Sequence, residues 1–153
     1  MENLIGDYAH HALKLLVALG LGMLMGFERQ KSGKTAGIKT HGLVSMGSAM
    51  YVIISIIISE MFIKATIFDP LRVASHIIVG VGFIGGGAIF IKEKAINGLT
   101  TAANLWVAAG IGMAVGFGIY PLAILVALMS LLVFLISGII ERRKARKDHE
   151  NLS

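Results

Sequence analysis

From Val73 to Ile91 the chain runs nineteen residues without an aspartate, glutamate, lysine or arginine, and four further stretches have a similar apolar character. A run of about 18 or more apolar residues is long enough to cross a hydrocarbon core of about 30 Å as a helix, whereas a soluble core helix is usually shorter and keeps a polar face. Five spans are therefore expected, at about 9–27, 42–62, 73–91, 99–118 and 121–140. The fold class that follows is all-α, a polytopic membrane protein with residues 1–140 as one five-helix transmembrane domain and 141–153 as a basic tail. The first stretch reads as a retained span, since no basic segment leads into it and no small-residue cleavage site follows.

Composition agrees: 56% of residues are hydrophobic, 15% are charged and the mean hydropathy is +0.79. Five spans put the termini on opposite sides, and lysine and arginine choose the sides. Arg29, Lys31, Lys34 and Lys39, then Lys92 and Lys94, then Arg142, Arg143, Lys144, Arg146 and Lys147 share one face; Lys64 and Arg72 stand on the other. The N-terminus is expected outside and the C-terminus in the cytoplasm. The net charge of +5 comes largely from the tail. A juxtamembrane basic cluster meets anionic lipid, so the bilayer is the expected partner and nucleic acid is not.

Glycine pairs mark three spans: Gly22 with Gly26, Gly82 with Gly86, and Gly112 with Gly116, with Gly85 and Gly87 beside the second pair. Glycine at i and i+4 lets helix backbones approach closely in lipid. The pairs predict a compact core of the first, third and fourth helices, with the fifth outside it. Gly80, Gly82 and Gly85 spell a dinucleotide fingerprint, but they lie inside a span rather than after a strand. Gly33, Lys34 and Thr35 resemble the end of a P-loop, yet Glu28 occupies the first glycine position of that motif.

Polar groups at membrane depth are the functional candidates. Asp69, Arg72 and His76 lie on one face of the third span, either as an ion or anion entry or as an interfacial Arg72 with a bonded His76. Glu28 and Arg29 end the first span; Lys39, Thr40 and His41 open the second, from which Ser45, Ser48, Ser55 and Ser59 continue a weakly polar stripe. That stripe lines a water path or bonds back to its own carbonyls. Thr100, Thr101 and Asn104 gather near the N-terminus of the fourth span, where free N–H groups favour an anion. Capping accounts for the threonines, whereas Asn104, one turn deeper, needs a partner on another helix. No nucleophile with a base and no carboxylate pair at depth is seen, so neither an enzyme nor a cofactor is expected. Without cysteine there is no thiolate metal site, and no spacing identifies a metal-binding set.

Four motifs stand in order: Gly26-Phe-Glu-Arg-Gln, Ala36-Gly-Ile-Lys-Thr-His-Gly-Leu-Val, Gly82-Phe-Ile-Gly-Gly-Gly-Ala-Ile and Gly98-Leu-Thr-Thr-Ala-Ala-Asn-Leu-Trp-Val-Ala-Ala-Gly-Ile-Gly. Over roughly residues 10–120 they resemble the MgtC/SapB family. The resemblance implies a bacterial inner-membrane protein linked to growth at low Mg²⁺, to survival in host cells and to control of ATP synthase. It singles out Glu28, Arg29, Gly37, Thr40, His41, Asp69, Arg72, Gly82, Gly85, Gly87, Gly98, Thr100, Thr101 and Trp106. Lys39 stands where the family usually has arginine and His76 where a glutamine is common. Many members continue into a cytoplasmic ACT-like domain, which this short form is expected to lack.

Two functions follow. The leading one is a regulator in Mg²⁺ homeostasis acting through membrane-protein contacts, with ATP synthase as the partner the resemblance implies. The alternative is an oligomeric transporter or channel for Mg²⁺ or phosphate, and a homo-oligomer is expected.

Overall fold

A computed structural model describes residues 2–62, 69–92 and 95–150, with side chains over 8–62, 69–91, 95–140 and at 143. Its elements are α1 (Glu2–Lys31), α2 (Ile38–Met61), α3 (Pro70–Gly87), β1 (Phe90–Lys92), β2 (Ala95–Asn97), α4 (Leu99–Gly116) and α5 (Tyr120–Glu150). All five helices are long and apolar enough to cross a membrane, the spanning segments being Tyr8–Lys31, Ile38–Met61, Pro70–Gly87, Leu99–Gly116 and Tyr120–Ile140. Lys64, Lys94 and most of the basic tail lie outside the described side chains.

Local chemistry sets the helix ends. The α1 helix keeps its axis through Arg29 and Lys31, whose charges suit the negative end of the helix dipole. Gly33, at φ 66, then turns the chain toward α2. Asp69 caps α3 by accepting from the Leu71 N–H at 2.9 Å, and Pro70 fills the first helical position, where no N–H is needed. The α3 helix thus begins and ends earlier than the expected 73–91. Three consecutive glycines weaken its last turn, and the segment beyond forms a two-stranded antiparallel hairpin pairing Ile91 with Ile96. The hairpin is a small addition to an otherwise all-α molecule. Gly98, at φ 89, starts α4; a Cβ there would strike the Ala88 carbonyl oxygen, so glycine joins the end of α3 to the start of α4.

The packing corrects the expected core, because α2, not α3, joins α1 and α4 at the centre. A Cβ at Gly22 would come within 2.5 Å of the His41 carbonyl oxygen, and one at Gly26 within 2.5 Å of the Gly37 carbonyl oxygen. A Cβ at Gly112 would collide with the Ser45 carbonyl oxygen, and one at Gly116 would lie 2.7 Å from the Val52 Cβ. The α2 helix presents Gly42, Ser45 and Ala49 to these glycines, and serine and alanine are small enough to serve as the facing surface. Counting glycine pairs alone misses that surface.

The outer helices differ in kind. Half of the α4 window is buried inside the chain, against 17% for α3 and 11% for α5. Ala123 and Ala127 anchor α5 on a core of Ala18, Met25, Ala49, Ala108, Ile111 and Val115. Gly85 packs on Ala102, its Cβ position lying 3.5 Å from the Ala102 Cβ, whereas nothing lies within 4 Å of a Cβ at Gly82, Gly86 or Gly87. These three glycines therefore take no part in packing within the described chain.

Candidate functional site

Two buried polar contacts cross the centre of the bundle near the end that carries the α1–α2 turn and the hairpin. In the first, Arg29 on the last turn of α1 is only 4% exposed. Its Nη2 donates to the Thr101 Oγ1 on α4 at 2.8 Å, and its guanidinium carbon lies 5.4 Å from the centre of the Phe134 ring on α5. Three helices thus meet at one cation. The Arg29 Nε–H is buried without an acceptor among the described residues. A cavity of about 340 Å³ adjoins it, walled by Lys34 and Thr35 from the turn, Asn97 from β2, Thr100 and Thr101 from α4 and Ser137 from α5.

In the second contact, Asn104 finds the interhelical partner its depth demands: its Nδ2 lies 2.8 Å from the His41 Nε2. The His41 Nδ1 lies 2.9 Å from the Gly37 carbonyl oxygen, which can only accept, so Nδ1 carries a proton and donates. With the amide in this orientation, Asn104 donates to Nε2. One turn along, the Ser45 hydroxyl donates to the Ala18 carbonyl oxygen at 2.7 Å, tying α2 to α1. Ser48 and Ser55 donate to the Val44 and Val52 carbonyl oxygens of their own helix. These bonds engage the hydroxyl protons of Ser45, Ser48 and Ser55 with backbone carbonyls.

The remaining sequence candidates scatter. Glu28 accepts from the Ser32 hydroxyl at 2.7 Å and is half-buried. Lys39 is exposed and Thr40 half-buried on the first turn of α2. Asp69, Arg72 and His76 do share a side of α3, but all are exposed, and His76 bonds the Arg72 carbonyl oxygen at 2.6 Å. Trp106 is 54% exposed. It rims a groove of about 440 Å³ between α3 and α4 that is floored by Gly82, Gly85 and Gly86. A second apolar groove of about 520 Å³ separates α2 from α3 and reaches Gly47, Tyr51, His76 and Gly80. Among the described residues no three His, Asp or Glu side chains come together to hold a metal. Magnesium prefers an octahedral oxygen set with one or two carboxylates, and the described donors do not form one.

Sequence reasoning missed Lys34, Thr35, Phe134 and Lys14. Lys34 was legible as a lysine of the basic face and, with Thr35, as a failed P-loop, and Phe134 only as one apolar residue among many. The Lys14 Nζ donates to the Gly116 carbonyl oxygen at 3.0 Å, closing the C-terminus of α4 from α1.

Residues 15–143 match the family model described as the MgtC family. The chain is 45% identical over 121 residues to YhiD of Escherichia coli K12, whose name describes it as a candidate magnesium transporter; the match covers 78% of this chain and 56% of that protein. Identity to SapB of Bacillus subtilis is 44% over 128 residues, or 82% of this chain and 53% of SapB. Identity to MgtC of Salmonella typhimurium is 36% over 140 residues, or 92% of this chain and 56% of MgtC. The chain spans about half the length of the curated relatives it matches. No solved structure gives a significant match.

Proposed function

This chain belongs to the MgtC family, and from that premise we propose that it regulates another membrane complex in adaptation to low Mg²⁺ by helix-to-helix contact. The observation that carries this reading is the surface of α3. Gly22, Gly26 and Gly112 sit against neighbouring backbone; α1, α2 and α4 also carry open glycines singly, at Gly20, Gly47 and Gly110, whereas Gly80, Gly82, Gly86 and Gly87 of α3 together have nothing within 4 Å of a Cβ position. Grooves of about 440 and 520 Å³ flank the same helix. Glycines within a span remove side chain where a neighbouring helix can approach, which makes α3 the contact helix.

The polar groups support regulation over transport. His41 and Asn104 bond each other, Ser45 bonds the Ala18 carbonyl oxygen and Thr101 accepts from Arg29, all between packed helices. Arg72 and His76, the residues considered for a pathway, are exposed on the outer helix α3. The membrane is the bacterial inner membrane, with the N-terminus outside and the C-terminus in the cytoplasm. Supporting this, Lys34 from the α1–α2 turn and Asn97 from the hairpin line one cavity, so two basic loops meet at one end. ATP synthase is the partner implied by resemblance, and a second copy of the chain would use the same face of α3.

The test is growth at low Mg²⁺ of cells in which Gly82→Leu, Gly86→Leu or Arg72→Ala replaces the native chain at equal abundance. The reading expects both leucine variants to lose growth support and Arg72→Ala to retain it. The reverse pattern favours pathway chemistry and the magnesium transport that the name of YhiD suggests for that relative.

A further inference from the structure

Arg29 is a buried cation without an ion pair among the described residues. The side chain is 4% exposed, its contacts are a hydroxyl and an aromatic face, and its Nε–H is buried without an acceptor. A guanidinium is not deprotonated in proteins, and an uncompensated buried charge is strongly unfavourable. Glu28, the nearest carboxylate in sequence, gives the guanidinium a favourable field but no ion pair among the described residues, its carboxylate accepting instead from the Ser32 hydroxyl.

The adjoining cavity of about 340 Å³ offers complementary chemistry. Lys34, exposed on the turn, is the second cation on its wall, and Thr35, Thr100 and Thr101 add hydroxyl groups. The wall also includes the start of α4, an 18-residue helix whose N-cap is Gly98 and has no side-chain cap. The first backbone N–H groups of such a helix have no intrahelical acceptor and sit at the positive end of its dipole. None of the described residues lining the cavity is acidic. The helix terminus alone would not define a site; the buried, unpaired guanidinium on the same wall supplies the independent demand for an anion.

We infer that this cavity binds an oxyanion of the phosphate class, with Arg29 as its buried cation, Lys34 as its exposed one, and Thr100, Thr101 and the α4 N-terminus as neutral donors. Phosphate matches this set because several oxygens accept from donors that converge from different elements. The anion comes either free from solution or as a lipid headgroup, and the chemistry is shared. The inference does not rest on the helix-contact reading, since the cavity and the glycine groove of α3 share no lining residue.

The test follows thermal unfolding of the full chain in nonionic detergent. Inorganic phosphate is compared with chloride at equal ionic strength, and dihexanoyl phosphatidic acid with dihexanoyl phosphatidylcholine. A saturable rise in Tm with phosphate assigns a free anion, and one with phosphatidic acid alone assigns a headgroup. Arg29→Gln is expected to weaken apparent affinity about tenfold or more, as loss of a charge-assisted contact would. Because Arg29→Gln also removes a helix-bridging contact, Lys34→Gln, at an exposed turn position, keeps the test open if the first variant fails to fold; it is expected to weaken binding severalfold. No saturable rise with either probe, or a rise undiminished in folded Lys34→Gln, overturns the inference.

Discussion

His41 and Asn104 are each fully or nearly fully buried, at 0% and 4% exposure, and each supplies what the other lacks. Removing one leaves the other's polar atom among apolar side chains, which costs more than the bond itself contributes. Asn104→Leu and His41→Leu are each expected to destabilise the protein by about 0.5–2 kcal/mol, the range for polar contacts between membrane helices. The double variant is expected to cost less than the two together, because the second substitution removes the orphaned group. Reversible unfolding in mixed micelles measures this; strict additivity would show that the 2.8 Å contact is not coupled. The sequence made Asn104 legible as a residue needing a partner, since an amide one turn inside a span has no capping role. It did not make His41 legible as that partner, because the two are 63 residues apart and meet only when α2 enters the core. Arg29 is similar. Its place at the end of a span reads as interfacial, and its burial depends on Thr101 and Phe134 closing over it.

At the scale of the element, small residues do two separate things. Gly112 lies where α2 and α4 touch backbone to backbone, and a Cβ there would collide with the Ser45 carbonyl oxygen, which cannot rotate away. Gly112→Ala is therefore expected to destabilise the chain by about 1–3 kcal/mol, the usual range for overpacking. Gly86→Ala has open space and a helical backbone, so its stability should be unchanged or slightly higher, alanine being the better helix former. Thermal unfolding of both variants separates bundle glycines from surface glycines, and equal losses would sink the distinction. Lys14 offers a third check. Its bond to the Gly116 carbonyl oxygen closes the end of α4, so Lys14→Met should cost about 0.5–1.5 kcal/mol by the same measurement. Helix number and approximate limits were legible because apolar length is a property of each segment alone. The choice of α2 over α3 as the central neighbour was not, because it depends on how Gly42, Ser45 and Ala49 fit glycines on two other helices. The early end of α3 was partly legible in Gly85, Gly86 and Gly87, and the hairpin beyond it needed pairing between Phe90–Lys92 and Ala95–Asn97.

For the whole molecule, the question is whether five helices of this size can conduct a solute or act by contact. A pathway needs polar groups facing water along its length, with binding weak enough for release. Here the described serine hydroxyls of α2 that would line it donate to backbone carbonyls, at 2.7 Å for Ser45, 2.9 Å for Ser48 and 2.7 Å for Ser55. Gly112 and Gly116 draw α4 against α2 so closely that neither position has room for a methyl group. Arg29 in a cavity at one end and Arg72 on the outer face of α3 have no polar connection described between them. Proteoliposomes containing the purified chain are therefore expected to show no saturable flux of Mg²⁺ or phosphate above protein-free vesicles. The same preparation must show the cooperative unfolding of a folded bundle, so that silence is not mistaken for misfolding. Saturable flux lost in Arg72→Ala would mean that the α3 face carries a pathway, formed by a second copy or by a rearranged bundle, and would replace the regulatory reading. Absence of flux together with phosphate-dependent stabilisation would instead describe a protein that senses an anion at the end of the bundle while offering α3 to a neighbour.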